Sequence, residues 1–190
     1  GDGGELPPAA AGALDSDGRL WTGAGSVVSR YLPTGAIDPS FGNAGAVDLA
    51  GLDGGPDESV IQTLVLESSG NAVAVGAHVD DGSYAVDLTQ LTPSGDLNAT
   101  YAFGGFASVP STGGPVGAAA LLDGGVLVWS SYGEVLAFTA EGQSAGIWYL
   151  QASGTLLAAT LDSSQRLIAT GMNTSDPMNQ KWFINRYLLF

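Results

Sequence analysis

His78 is the only histidine of the chain and lies in Gly76-Ala77-His78-Val79-Asp80-Asp81-Gly82. A Ser-His-Asp relay needs a base oriented by a carboxylate, and a zinc site needs two or three imidazoles, so one His beside an acidic stretch supplies at most one part of either. His78 is therefore expected on an exposed loop. Oxygen ligands are more abundant: Asp15-Ser16-Asp17-Gly18, Asp53-Gly54-Gly55-Pro56-Asp57-Glu58 and Asp80-Asp81-Gly82-Ser83 set carboxylates on tight Gly turns, the arrangement calcium favours. None has EF-hand spacing, and Asp also stabilises turns unaided by bonding nearby amides. Calcium is thus the one metal to test.

Trp21, Trp129, Trp148 and Trp182, with Tyr31, Tyr84, Tyr101, Tyr132, Tyr149 and Tyr187, could stack against sugar rings. Most stand in alternating apolar runs, where an aromatic fills space between sheets. The sequons Asn98-Ala99-Thr100 and Asn173-Thr174-Ser175 serve as loop markers. No general acid and base pair is recognisable from the sequence, and Asp and Glu are expected mostly at turns. Hence no catalytic or cofactor-binding residue is assigned, no metal ligand set is fixed, and enzyme activity is not expected.

The chain has 190 residues with 19 Asp or Glu against 5 Lys or Arg, a net charge of −14, and no Cys. That field repels nucleic acid and anionic membranes. The absence of Cys excludes disulfides and thiolate chemistry. No apolar stretch reaches the length of a membrane span, so membrane insertion is not expected. The opening Gly1-Asp2-Gly3-Gly4-Glu5 lacks a basic and apolar leader and reads as a processed end or a fragment.

Elements that could position such residues recur. Apolar alternation, a polar Gly corner and renewed alternation appear in Ala13 to Gly23, Val65 to Gly76, Leu121 to Val128 and Thr160 to Gly171. Each is a hairpin by its chemistry. A further strand follows each, at Val27 to Gly35, Val86 to Gly95, Val135 to Gly142 and Phe183 to Leu188. The 29 glycines and the scarcity of Lys and Glu suit an all-β chain with many corners. A cassette of this size cannot bury both faces alone and stacks around an axis as a β-propeller blade.

Leu32-Pro33-Thr34-Gly35-Ala36-Ile37-Asp38-Pro39-Ser40-Phe41-Gly42-Asn43-Ala44-Gly45 resembles the turn pattern of the delta-60 repeat proteins, a bacterial β-propeller family. Ser16-Asp17-Gly18-Arg19-Leu20-Trp21-Thr22-Gly23 and Ser29-Arg30-Tyr31-Leu32-Pro33-Thr34-Gly35 match its other portions. The copy from Glu58 to Gly105 keeps the spacing but has Gln90 for the Arg and Asn98-Ala99 for the Asp-Pro, and the later copies keep only a skeleton. The resemblance implies a propeller in a large exported or surface-associated protein, and it carries over no catalytic residues.

The expectation is a single repeat domain over 1–190, a propeller or partial propeller of about four blades near 6–50, 51–110, 111–150 and 151–190. Its apolar last strand needs a partner edge: the N-terminal stretch Leu6 to Leu14, another chain, or further polypeptide. An incomplete ring completed by other polypeptide is favoured. The expected role is a non-catalytic, secreted or cell-surface scaffold that engages proteins through turns such as Val79 to Ser83 and Asn173 to Gln180. It would need no cofactor, and neither nucleic acid nor membrane would be a partner. A carbohydrate- or calcium-binding module is the alternative, and a metal-dependent propeller hydrolase or lyase is a third class.

Overall fold

The computed structural model describes residues 9–52, 59–150, 155–173 and 181–188. Their regular structure is β-sheet apart from one 3-10 turn, Leu49–Gly51. The first sheet contains β1 Ala11–Leu14, β2 Leu20–Ala24, β3 Val27–Tyr31 and β4 Ala46–Asp48. The second contains β5 Val60–Leu66, β6 Ala72–Asp80, β7 Ser83–Leu91 and β8 Phe106–Ser111. The third contains β9 Pro115–Ala120, β10 Val126–Ser130, β11 Glu134–Phe138 and β12 Ser144–Tyr149. The fourth contains β13 Thr155–Leu161, β14 Leu167–Asn173 and β15 Lys181–Tyr187. Every sheet is an antiparallel meander with strands in sequence order.

The hairpin corners show why the repeat is rich in glycine. Gly18, Gly70 and Gly124 sit at φ +75°, +87° and +88°, a region that costs residues with a Cβ. The fourth corner makes the same turn with Gln165 at φ +58°. Gly18, Gly70, Gly124 and Gln165 each donate a backbone N–H three residues back, to Asp15, Glu67, Leu121 and Asp162.

The second and third sheets bury apolar side chains on both faces, and the core lies between sheets. Trp21, Val28 and Phe41 of the first sheet and its loop pack on Ile61, Leu64, Ala72 and Ala74 of the second. Val73, Val75 and Leu88 on the other face of the second meet Val126, Val128 and Leu136 of the third. Leu127, Trp129 and Val135 of the third meet Leu156, Leu167 and Ala169 of the fourth. The first strands follow one another, β1 against β5, β5 against β9 and β9 against β13, so the sheets stack like blades.

Candidate functional site

The most elaborate polar cluster stands where the first sheet meets the second. Pro33 and Gly35, the latter at φ +83°, shape the turn after β3, and the chain doubles back so that Asp38 N–H donates to the Arg30 carbonyl at 2.9 Å. Asp38 Oδ1 then accepts from the Ser40 N–H and hydroxyl at 3.0 and 2.6 Å. Its Oδ2 takes Arg30 Nε and one terminal guanidinium nitrogen, each at 2.8 Å. Hydrogen bonds from Ser40, opposed by burial and aided by Arg30, hold the Asp38 carboxyl below its ordinary value. The guanidinium also reaches the Pro93 carbonyl of the second sheet and lies 5.1 and 4.8 Å from the Trp21 and Phe41 ring centroids. Those rings meet edge to face at 4.7 Å. We call this group the clasp.

The second repeat builds the same clasp without charge. Gln90, Asn98, Thr100 and Tyr101 stand where the first has Arg30, Asp38, Ser40 and Phe41. Asn98 N–H donates to the Gln90 carbonyl at 2.9 Å, Thr100 Oγ1 donates to Asn98 Oδ1 at 2.7 Å, and Asn98 Nδ2 donates to Gln90 Oε1. The Asn98 sequon amide is thus engaged, whereas the sequon at Asn173 runs outside the described residues.

Each clasp loop also bonds the next sheet through backbone. Gly42 N–H donates to the Ser94 carbonyl at 2.7 Å and Ala102 N–H to the Glu141 carbonyl at 2.6 Å. A Cβ on Gly95 would stand 2.6 Å from the Gly42 nitrogen, and one on Gly142 would stand 2.7 Å from the Tyr101 ring. The third repeat omits the loop: Gly142 closes its turn and Ser144 pairs at once with Phe138.

Two further carboxylates, missed by the sequence reading, lie in strands rather than turns. Asp87 on β7 and Glu134 on β11 are both buried. Glu134 accepts from the Thr112 N–H and hydroxyl at 2.9 and 3.1 Å, from Ser111, and from the Tyr149 hydroxyl at 3.3 Å. The charge of Glu134 raises the Tyr149 pKa. Asp87 Oδ2 lies 2.7 Å from His78 Nδ1. His78 is therefore not on a loop, as its sequence suggested, but on β6 and partly buried, because the strand runs through to Asp80 before a two-residue corner at Asp81 and Gly82. A period-two signal that includes small residues such as Ala77 and Gly76 conceals that strand in the sequence.

The acidic corners at Asp15 and Asp162 are occupied by local bonds. Asp15 Oδ1 accepts from the Asp17 and Arg19 N–H groups, and its Oδ2 accepts from Arg19 Nε at 2.7 Å and Trp21 Nε1 at 3.0 Å. Burial raises the Asp15 pKa, but these donors outweigh it and leave the group at about 2. Asp162 repeats the pattern with Arg166 at 2.7 Å and is likewise drawn to about 2 by that hydrogen bond. Burial instead raises the Glu67 carboxyl, which accepts from Gln90 Nε2 at 2.9 Å. Asp53 to Glu58 lie outside the described residues. Among the described residues no three His, Cys, Asp or Glu side chains cluster as metal ligands. No helix among them is long and apolar enough to cross a membrane.

Trp21, Tyr31, Tyr101 and Trp129 are core residues, as their setting in alternating runs suggests. Trp182, with Ile184 and Leu188, is not. Val28, Leu88, Val135 and Ile184 occupy one register position in the four sheets, opposite Gly23, Val75, Trp129 and Thr170. The first three are 0 % exposed, and Ile184 is 77 % exposed. Beside it runs a groove of about 290 Å³ lined by Ala158, Ala159, Thr160, Ile168, Thr170 and Ile184. This face of the fourth sheet, away from the third, is the candidate docking site, and Arg186 stands on it at the register of Arg30. Of the turns expected to meet a partner, residues 174–180 lie outside the described residues.

No family model matches the chain. No curated protein matches it either. Solved structures do match. A streptogramin B lyase is 16 % identical at a TM-score of 0.58, over 97 % of this chain and 57 % of that one. The RRP9 WD40 repeats are 11 % identical at 0.63, over 95 % and 52 %. BamB from Moraxella catarrhalis is 15 % identical at 0.56, over 87 % and 44 %. The chain thus spans about half the length of the propellers it matches. At these identities the likeness shows fold alone, and that fold is the β-propeller, four successive blades of which are present here.

Proposed function

We propose that this chain is a non-catalytic β-propeller segment of an exported or cell-surface protein, working as a scaffold that binds other polypeptide. The observation that carries the reading is the fourth sheet's outer face, where Trp182, Ile184 and Leu188 present apolar surface that the corresponding faces of the first three sheets bury. Contiguous exposed apolar surface of this kind marks a binding site. The polar residues of the clasps, by contrast, bond one another and hold the framework. WD40 repeats and BamB share the fold and support a module of this type.

A second reading, a hydrolase or lyase, is favoured by the His78–Asp87 pair, whose geometry resembles a base and its orienting carboxylate. One experiment separates the two. The apolar dye anilinonaphthalene sulfonate is added to the native chain and to Trp182→Ser/Ile184→Ser, while both are assayed on aryl esters and lactones. The docking reading expects dye fluorescence that the double variant loses, and no turnover. Equal dye binding by both proteins overturns the docking face, and turnover abolished by His78→Ala overturns the non-catalytic assignment.

A further inference from the structure

Resting on that reading, we propose that Arg186 is the open half of a third clasp. The exposed face around it would then seat one more β-blade of the same repeat type, joined in sequence to β15 and bringing the carboxylate that Arg186 binds.

The register supports this residue by residue. Arg30 lies opposite Trp21, Gln90 opposite Val73, Ala137 opposite Leu127, and Arg186 opposite Ile168. These are one position of the blade. Around it, Asn185-Arg186-Tyr187-Leu188 repeats Ser29-Arg30-Tyr31-Leu32. Where the loop after the third strand is present, the residue at this position binds a side chain eight residues later in its own repeat, Asp38 or Asn98. The third repeat, which lacks the loop, has Ala137 there and thus no side chain able to hold one. A guanidinium at this position therefore goes with a clasp loop. Arg186 is instead exposed, on a strand whose apolar neighbours Trp182, Ile184 and Leu188 are exposed as well.

The chemistry selects the occupant. A cation amid uncovered apolar side chains calls for a partner that brings both an anion and apolar surface. The first sheet shows what such a partner looks like: its loop supplies Asp38, and the next blade supplies Ile61, Leu64 and the Pro93 carbonyl. A second copy of the chain cannot provide the anion from its own clasp, because its Asp38 is already buried against Arg30 and Ser40.

The test extends the full chain. Residues 35–111, which hold the first clasp loop, β4 and the second blade, are appended after Phe190, so that Arg186 stands as far from the appended Gly35 as Arg30 does from its own. Hydrogen exchange is then followed in β15, with β6 and β10 as folded references. The extension should slow exchange of β15 by about tenfold or more. Arg186→Gln should remove most of that gain. Adding Asp38→Asn in the appended copy should restore it, since Gln90 and Asn98 already form the neutral pair.

Exchange of β15 that the extension leaves unchanged overturns the seat, whereas the docking reading is overturned by equal dye binding of the native chain and Trp182→Ser/Ile184→Ser. Slowed exchange that Arg186→Gln does not diminish, or that the neutral pair does not restore, overturns the clasp while leaving the docking reading intact. Concentration-dependent dimerisation of the native chain that alone protects β15 assigns the face to a second copy and overturns the proposed blade.

Discussion

The first and second repeats close the same loop on the same strand with opposite chemistry. In the first, a buried ion pair does it; in the second, two neutral amides do. Shape and hydrogen-bond complementarity therefore specify the clasp, and charge alone does not. The difference lies in where the spare donors go. Arg30 turns outward, to the Pro93 carbonyl of the next sheet and to two aromatic faces. Gln90 turns inward, donating to Glu67 and accepting from Asn71 at the corner of its own hairpin. One clasp ties sheet to sheet by a side chain, while the other braces its own sheet and leaves the crossing to the backbone bond from Ala102.

Removing one partner should separate the two most sharply. Arg30→Ala leaves Asp38 buried and unpaired and is expected to cost about 3–5 kcal/mol. Gln90→Ala leaves the Asn98 amide without its partner and takes one donor from the half-buried Glu67, but leaves no fully buried charge alone, and should cost about 1–3 kcal/mol. Urea denaturation measures both, and equal losses would erase the distinction drawn between the clasps.

Crossing contacts are probed by glycine. Gly95→Ala combines φ +90° with a Cβ 2.6 Å from the Gly42 nitrogen and should cost about 2–3 kcal/mol. Gly35→Ala has φ +83° but meets nothing within 4 Å among the described residues, so about 1–2 kcal/mol is expected. A larger loss at Gly35 than at Gly95 would contradict the role given to the sheet-to-sheet contact.

Exchange of the chemistry itself should matter less. Arg30→Gln with Asp38→Asn converts the first clasp into the second and should alter stability by no more than about 1 kcal/mol, because both charges leave the interior together. Thermal and urea midpoints test it, and a loss as large as that of Arg30→Ala would show that charge is indispensable in the first repeat.

Smallest is the pH signature. The folded Asp38 pKa lies below its ordinary 3.8, so its contribution is complete above 3.8 and fades as pH falls through the depressed value. Glu67, raised above 4.5 by burial, has the opposite sign: native stability declines as pH rises from 4.5 through the raised value and is level beyond it. The neutral swap should remove the Asp38 share of the acid limb and leave that of Asp15 and Asp162, and Glu67→Gln should flatten the decline above 4.5. Unfolding followed between pH 2 and 7 resolves the two limbs about the stated values.

Hairpins, their order and the propeller architecture are legible in the sequence because Gly corners and period-two alternation are local. The clasp is half legible. Gln90 for Arg30 and Asn98 for Asp38 look like decay of a motif when taken singly, whereas their matched spacing of eight marks one exchange of an ion pair for an amide pair. Asp87 and Glu134 are not legible, since Asp87 meets His78 only once β6 and β7 pair, and most of the donors to Glu134 come from Ser111 and Thr112, at the end of the second sheet. Asp80, Asp81 and Gly82 suggest a corner just after His78, yet pairing with β7 carries the strand to Asp80. The exposed face of the fourth sheet emerges only when one register position is compared across all four sheets.

The direct run from Gly142 into β12 has a mechanical consequence. Where the first two sheets are bolted to their successors by a loop at the end of the third strand, the third reaches the fourth without that bolt. A pulling force applied across the array loads every seam alike, so the one without the bolt is the natural yielding plane of the molecule.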